Sequence, residues 1–192
     1  MVKRAWALLL LCANVPVLAD TPPAPPSLPQ GAFGFELGTI LAPSLRRGCG
    51  LGDWCRVLPR QRQPEFDRYS VRITPTHGRI YRIAASRFLN ELDTCRTAAD
   101  AQMNGLAREY GIQFEPVPAT RLAPLVRAAW RWALPAPATW QGRREAAYEI
   151  EIRCKGPAIG INTGGVGRAG AGATLKIFFN DFRLLMAEDE RL

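Results

Sequence analysis

Residues 66–85 read FDRYSVRITPTHGRIYRIAA. Two alternating runs flank TPTHG at 74–78. In the first, Tyr69, Val71 and Ile73 fall on one side and Arg68, Ser70 and Arg72 on the other; in the second, Tyr81, Ile83 and Ala85 share a side. Successive side chains on a strand point to opposite faces, so the pattern predicts an antiparallel hairpin with one apolar side and His77 in its turn. A sheet with one apolar side requires an element to cover it, and this requirement organises the rest of the chain.

Leu92, Cys95, Ala99, Met103, Leu106 and Tyr110 recur at intervals of three and four and predict a helix with one buried stripe, ended by a left-handed cap at Gly111. Ala146, Tyr148, Ile150, Ile152 and Cys154 alternate with Glu145, Ala147, Glu149, Glu151 and Arg153, which predicts a strand. Leu175, Ile177 and Phe179 mark a last strand, followed by an acid-ending tail over 187–192. FGFELG at 33–38 reads as a first strand. TRLAPLVRAAWRWALP at 120–135 reads as a second helix with Leu122, Leu125, Val126, Ala129, Trp130 and Ala133 on one face and Arg127, Arg131 and Trp132 outside it. The expected fold is a single α+β domain over 31–192: a mostly antiparallel sheet of about four strands with one main helix packed on one face, disulfide-bonded.

The chain opens MVKRAWALLLLCANVPVLAD. A basic start, an apolar run too short to span a bilayer and small residues before the break predict a signal peptide over 1–19, cleaved after Ala19. Leu11 rather than a small residue precedes Cys12, which disfavours a lipid anchor, so Cys12 leaves with the signal. Residues 20–30, DTPPAPPSLPQ, form a Pro-rich tail. Removal of Lys3 and Arg4 leaves 23 basic residues against 17 acidic ones, a formal charge of +6 that favours anionic partners. Cys49, Cys55, Cys95 and Cys154 remain, an even number in an exported chain, with three pairings open. Cys95 on the buried helix stripe and Cys154 on the apolar side of a strand both point inward. They therefore pair with each other, leaving Cys49 with Cys55 across a glycine-containing loop.

GGVGRAG at 164–170 contains the spacing Gly-x-Gly-x-x-Gly. A dinucleotide loop needs a helix start directly after its glycines, and here the strand pattern GATLKIFFN follows instead. No Gly-Lys-Ser/Thr ending is present either. The segment reads as a connection between antiparallel strands, and no nucleotide cofactor is expected. His77 is the single histidine, and no Gly-x-Ser-x-Gly elbow accompanies it. Neither a catalytic residue nor a metal site is assigned. Glu149 and Glu151, two apart on the polar side of a strand, carry the alternative of a carboxylate pair. Arg68, Arg72 and Arg82 on the outer hairpin side are candidates for binding an anion or partner by bidentate contacts; a plain solvated face is the competing reading.

FGFELG after the signal, the hairpin pattern Phe66-x-x-Tyr69 with TP-x-x-G-x-I-Y-x-I-x-A, the helix CRTAADAQMNGLAREYG and the strand YEIEIRCKG together resemble small secreted proteins of Gram-negative bacteria. The Arg/Trp segment around Trp130 and the glycine-rich stretch after Lys155 depart from that pattern. The resemblance implies a small α+β domain in the periplasm and supplies no activity, substrate or catalytic residue.

The sequence thus points to a periplasmic or secreted, non-enzymatic binding or accessory module that contacts an envelope protein or an anionic envelope component. No cofactor and no integral membrane span are expected. Two alternatives stand beside it: a small carboxylate-dependent hydrolase, and a peripheral membrane-associated protein held by a basic Trp-containing helix.

Overall fold

A computed structural model describes residues 28–46, 49, 54–59, 63–140, 143–156 and 172–189. The expected signal peptide, nearly all of the Pro-rich tail and residues 164–171 of the glycine-rich stretch lie outside the described residues. In chain order the elements are β1 (Gly31–Ala32), β2 (Phe35–Glu36), α1 (Pro43–Arg46), β3 (Trp54–Val57), β4 (Arg68–Ile73), β5 (Ile80–Leu89), α2 (Leu92–Tyr110), β6 (Glu115–Pro116), β7 (Val126–Pro135), β8 (Ala146–Lys155), β9 (Ala173–Asp181) and α3 (Phe182–Asp189).

The expectation of about four strands is corrected: the described residues build a seven-stranded sheet in the order β3-β4-β5-β9-β8-β7-β6 and a separate two-stranded one, β1-β2. Every neighbouring pair in the large sheet is antiparallel. Three of the added strands have identifiable causes. β3 is four residues long and β6 two, too short to show a period. β7 occupies the segment expected to be a helix. Its alanines fit either period, but as a strand it sets Trp130 opposite Ile152 and Trp132 opposite Ile150, so both indoles lie on the apolar face and pack against the core. The basic helix on which the membrane-associated alternative depended is therefore a core strand.

The segment at 33–38 is likewise a tight hairpin rather than one strand. Phe33 and Gly34 both take left-handed backbone, φ 55° and 77°, as a two-residue turn of this hand requires. Gly31 must lack a side chain, because a Cβ there would lie 2.1 Å from the Phe35 carbonyl oxygen. The turn drives the Phe33 ring inward, with its centroid 5.1 Å from that of Phe66 and 5.8 Å from that of Phe179.

In the hairpin of β4 and β5, Tyr69 stands opposite Ala85 and Val71 opposite Ile83. The register then slips: Arg72 pairs with Arg82, but Ile73 pairs with Ile80, which leaves Tyr81 as an extra residue. Tyr81 therefore does not share the core side with Ile83 and Ala85 as its spacing suggests. It joins a second apolar cluster with Trp140, Ala147, Phe182 and Met186.

The main core lies between one sheet face and α2. Val71, Ile83, Tyr148, Ile150, Ile152 and Ile177 supply the sheet side and are almost wholly buried. Cys95 and Ala99 are buried from the helix, with Leu92, Met103, Leu106 and Tyr110 packed around them. Gly111 ends α2 at φ 66°, its N–H donating to the Ala107 carbonyl. Cys95 is bonded to Cys154, and Cys49 to Cys55. The first bond ties the opening turn of α2 to the end of β8.

α3 follows β9 without a break and takes in residues 187–189 of the tail expected over 187–192; 190–192 lie outside the described residues. Asp181 starts it, accepting a hydrogen bond from the Arg183 N–H at 3.1 Å and pairing with the Arg183 guanidinium at 2.8 and 2.6 Å. Phe182 and Met186 then lie over one end of the sheet face opposite α2. The rest of that face is where the charged residues gather.

The two bridges span 59 and 6 residues of sequence, and closing a longer loop removes more entropy from the unfolded chain. Replacing both Cys95 and Cys154 by Ala is expected to cost about 4 kcal/mol, against about 2 kcal/mol for the Cys49 and Cys55 pair. Urea unfolding of the two double variants measures the difference directly.

Candidate functional site: a cationic groove on the open sheet face

Strand pairing brings side chains from distant parts of the chain into rows on the face opposite α2. One row runs Arg68, Ser86, Lys176 and Arg153 across β4, β5, β9 and β8. A neighbouring row holds Arg56, Ser70, Ala84, Phe178, Glu151 and Arg131, and the next holds Trp54, Arg72, Arg82, Asn180 and Glu149. With strands about 4.8 Å apart, Arg68 stands about 10 Å from Lys176 across the row, and Arg153 only one strand beyond.

These rows floor an open groove of about 1320 Å³. Six described cations line it: Arg56, Arg68, Arg82, Arg153, Lys155 and Lys176. No Asp or Glu is among its described lining residues. Small residues, Ser70, Ala84 and Ser86, leave the centre open, and Phe178 adds an aromatic side chain to the floor.

Two of the cations are held in place by their surroundings. Arg153 makes a two-pronged bond to Glu151, both contacts at 2.5 Å, and lies 4.9 Å above the Phe178 ring. Arg82 donates from Nε to the Asn180 side-chain oxygen and lies over the Trp54 and Phe178 rings, 5.7 and 5.8 Å from their centres. Asn180 in turn donates to Glu149 at 2.9 Å, and Glu149 pairs with Arg131 at 3.1 Å. Burial pushes the pKa of Arg82 down. Burial also lowers that of Lys176, and Lys155, Arg153 and Arg68 push it further the same way. The groove thus concentrates like charge at an energetic cost that an incoming anion would relieve.

A smaller hollow of about 420 Å³ lies beside the end of α2, β6 and β7. Its arginines, Arg121 and Arg131, are already paired with Glu145 at 3.8 and 3.4 Å. It presents less free charge than the sheet groove.

No family model, curated protein or solved structure matches the chain. Its chemistry has to be read from its own residues.

Of the arginines that stand out in the sequence, Arg68 and Arg82 line the groove. Arg72 lies beside it, its guanidinium 5.5 Å from the Trp54 ring and 5.7 Å from the Tyr81 ring. Arg56, Arg153, Lys155 and Lys176 carry equal weight, although nothing in the sequence sets them apart. Each is an ordinary outward residue of its own segment, and the strand order that unites them cannot be read from spacing. Glu149 and Glu151 share the open face as expected, but they are largely enclosed, with side chains 13% and 12% exposed, and each is engaged by an arginine. Burial raises the pKa of Glu149, with Arg131 opposing. Among the described residues, no group of three His, Cys, Asp or Glu side chains is placed to hold a metal ion. No described helix is long and apolar enough to cross a membrane.

His77 is tied to α3 at the far end of the face. Its Nδ1 lies 2.8 Å from Glu188, whose carboxylate also accepts from the Thr74 hydroxyl at 2.5 Å and from the N–H groups of Thr76 and His77 at 3.0 and 3.1 Å. Burial opposes ionisation of Glu188, and these bonds outweigh it, bringing its pKa down to about 2 from 4.5. A carboxylate depressed by folding contributes its full stabilisation above its unfolded pKa and loses it as pH falls through the folded one. Solvent around the half-exposed His77 screens part of the interaction, which leaves the clamp worth about 2 kcal/mol. That stability is expected to fade between pH 4.5 and about 2. Glu188→Gln should lower stability by about 2 kcal/mol at neutral pH and flatten that acid limb, as measured by denaturant unfolding across the pH range.

Proposed function

We propose that the protein is a non-enzymatic binding module of the periplasm that holds an anionic ligand on the cationic face of its sheet. The observation that carries this reading is the groove itself: six described cations from five strands, with no carboxylate among the described lining residues. Chains with an excess of arginine commonly scatter it over solvated surface. Here the acids of the same face are drawn to one side, onto Arg131 and Arg153. The cations on the β3, β4 and β9 side are left facing an open hollow.

Guanidinium groups suit the oxygens of phosphate or carboxylate because their N–H pairs match two oxygens at once. Arg82 is pre-positioned by Asn180 and its aromatic neighbours, so less side-chain freedom is lost on binding. Arg56 and Arg68 are exposed and able to close onto a ligand from the β3 and β4 side. Serine hydroxyls at 70 and 86 offer further donors along the floor. Two disulfides fit an oxidising compartment, and the signal-like opening of the chain supports export to the periplasm.

Isothermal titration with inorganic pyrophosphate at low ionic strength tests the reading. The unaltered protein is expected to bind and to lose affinity steeply as salt is raised, and Arg68→Glu with Lys176→Glu is expected to abolish the heat. Equal binding by the charge-reversed protein would remove this face from consideration.

A further inference from the structure

The groove is not lined by charge alone. Along its end away from α3 stand three large apolar side chains that the fold leaves in water: Leu58 is 70% exposed, Phe88 63% and Leu125 38%. Leu58 follows β3 and Leu125 precedes β7, and both line the groove. Phe88 stands opposite Thr174, a lining residue, two positions beyond Ser86 on the same side of β5. The three thus stand along one end of the cationic floor, at the β3 edge, on β5 and before β7, with Thr174 and Lys155 between the last two.

Two details of the backbone set Leu125 and Phe88 in place. Leu125 has φ 69°, a left-handed conformation that a leucine rarely adopts, and its carbonyl accepts the Gly156 N–H at 2.8 Å, which holds the strained residue beside β8. At Gly172 an added Cβ would lie 2.3 Å from the Phe88 ring, so the missing side chain there lets the ring lie against the start of β9. An exposed leucine or phenylalanine alone is unremarkable, whereas three along one end of a cluster of cations are a specific juxtaposition.

We infer that the ligand of this groove is an anionic amphiphile, its phosphate or carboxylate head held by Arg68 and Lys176 and its apolar chain laid toward Leu58, Phe88 and Leu125. The inference rests on the anion-binding reading given above and names the class of molecule that fills it. Charge complementarity supplies the head site, and the adjoining apolar side chains supply a surface that a free inorganic anion would leave wet. The opposite end of the face is closed by Phe182 and Met186 of α3, so the chain of a bound molecule leaves over the Phe88 end.

The test compares dodecyl phosphate, kept below its micelle-forming concentration, with inorganic phosphate and with the uncharged dodecyl maltoside, each titrated into the oxidised protein. Dodecyl phosphate is expected to bind at least tenfold more tightly than inorganic phosphate, and dodecyl maltoside not to saturate in the same range. The triple variant Leu58→Gln, Phe88→Gln, Leu125→Asn is expected to lose that tenfold gain while keeping its affinity for inorganic phosphate. Asparagine is chosen at 125 because it tolerates left-handed backbone, and all three side chains are exposed, so folding should be retained. Equal affinity for dodecyl phosphate and inorganic phosphate, a gain that survives in the triple variant, or equally tight binding of dodecyl maltoside would each overturn the amphiphile inference and leave anion binding standing. Failure of both phosphates to bind would overturn the anion-binding reading as well.

Discussion

The bond between Cys95 and Cys154 joins a helix to a strand at a point where both side chains are fully buried, and it decides which side of the sheet is the inside. Cys95 opens the apolar stripe of α2; Cys154 closes the apolar alternation of β8. With those two sulfurs joined, residues 148, 150 and 152 must face the helix, and 149, 151 and 153 must face away. Pairing then propagates the choice outward. Ile150 is opposite Phe179 and Ile152 opposite Ile177, and on the far side of β9 the same faces pass to Ile83 and Ala85. A one-residue slip anywhere in this chain of pairings would bury charged side chains under α2, so the hydrophobic pattern and the covalent tie enforce one another.

The opposite face is shaped by what is left over. α3 and Trp140 cover one end with a small apolar cluster, leaving the remainder without a helix among the described residues. Within that remainder the charges are not evenly mixed. Glu149 and Glu151 are nearly enclosed and engaged by Arg131 and Arg153, with Asn180 linking Glu149 to Arg82. Enclosed carboxylates with arginine partners are costly to disrupt, since removing one partner strands the other charge. Neutralisation is thus concentrated on the β7 and β8 side, and a net positive surface results around β3, β4 and β9. The exposed apolar side chains at the other end of the groove give this surface two kinds of chemistry within one hollow.

Elements with long, clean periods are legible in the amino-acid pattern: the alternation from Tyr69 to Ile73, the stripe from Leu92 to Tyr110, and the alternation from Ala146 to Cys154 appear as β4, α2 and β8. The elements that escape such a reading do so for physical causes. Alanine is tolerated by both helix and strand, so AAWRWA fits two conformations, and cross-strand contact with Ile150 and Ile152 decides for the strand. The bulge that turns Tyr81 away from the core adds one residue to β5 without changing the local pattern. FRLLMAED has helical spacing but follows directly on a strand, and its docking against Tyr81 and Ala147 depends on tertiary packing. For the site, Arg68 and Arg82 are visible as outward residues of one hairpin. Lys176, Arg153 and Lys155 join them only because β9 and β8 lie next to β5, an order that no local signal encodes.

The central claim is that anion recognition belongs to the sheet face away from α2. Amide chemical shifts of the isotope-labelled, oxidised protein, followed during a pyrophosphate titration, test it most directly. The account predicts that the largest changes fall at Arg68, Ser86, Arg153 and Lys176, with α2 from Leu92 to Tyr110 little affected. Changes centred on α2, or spread evenly over the exposed arginines of the whole surface, would contradict it.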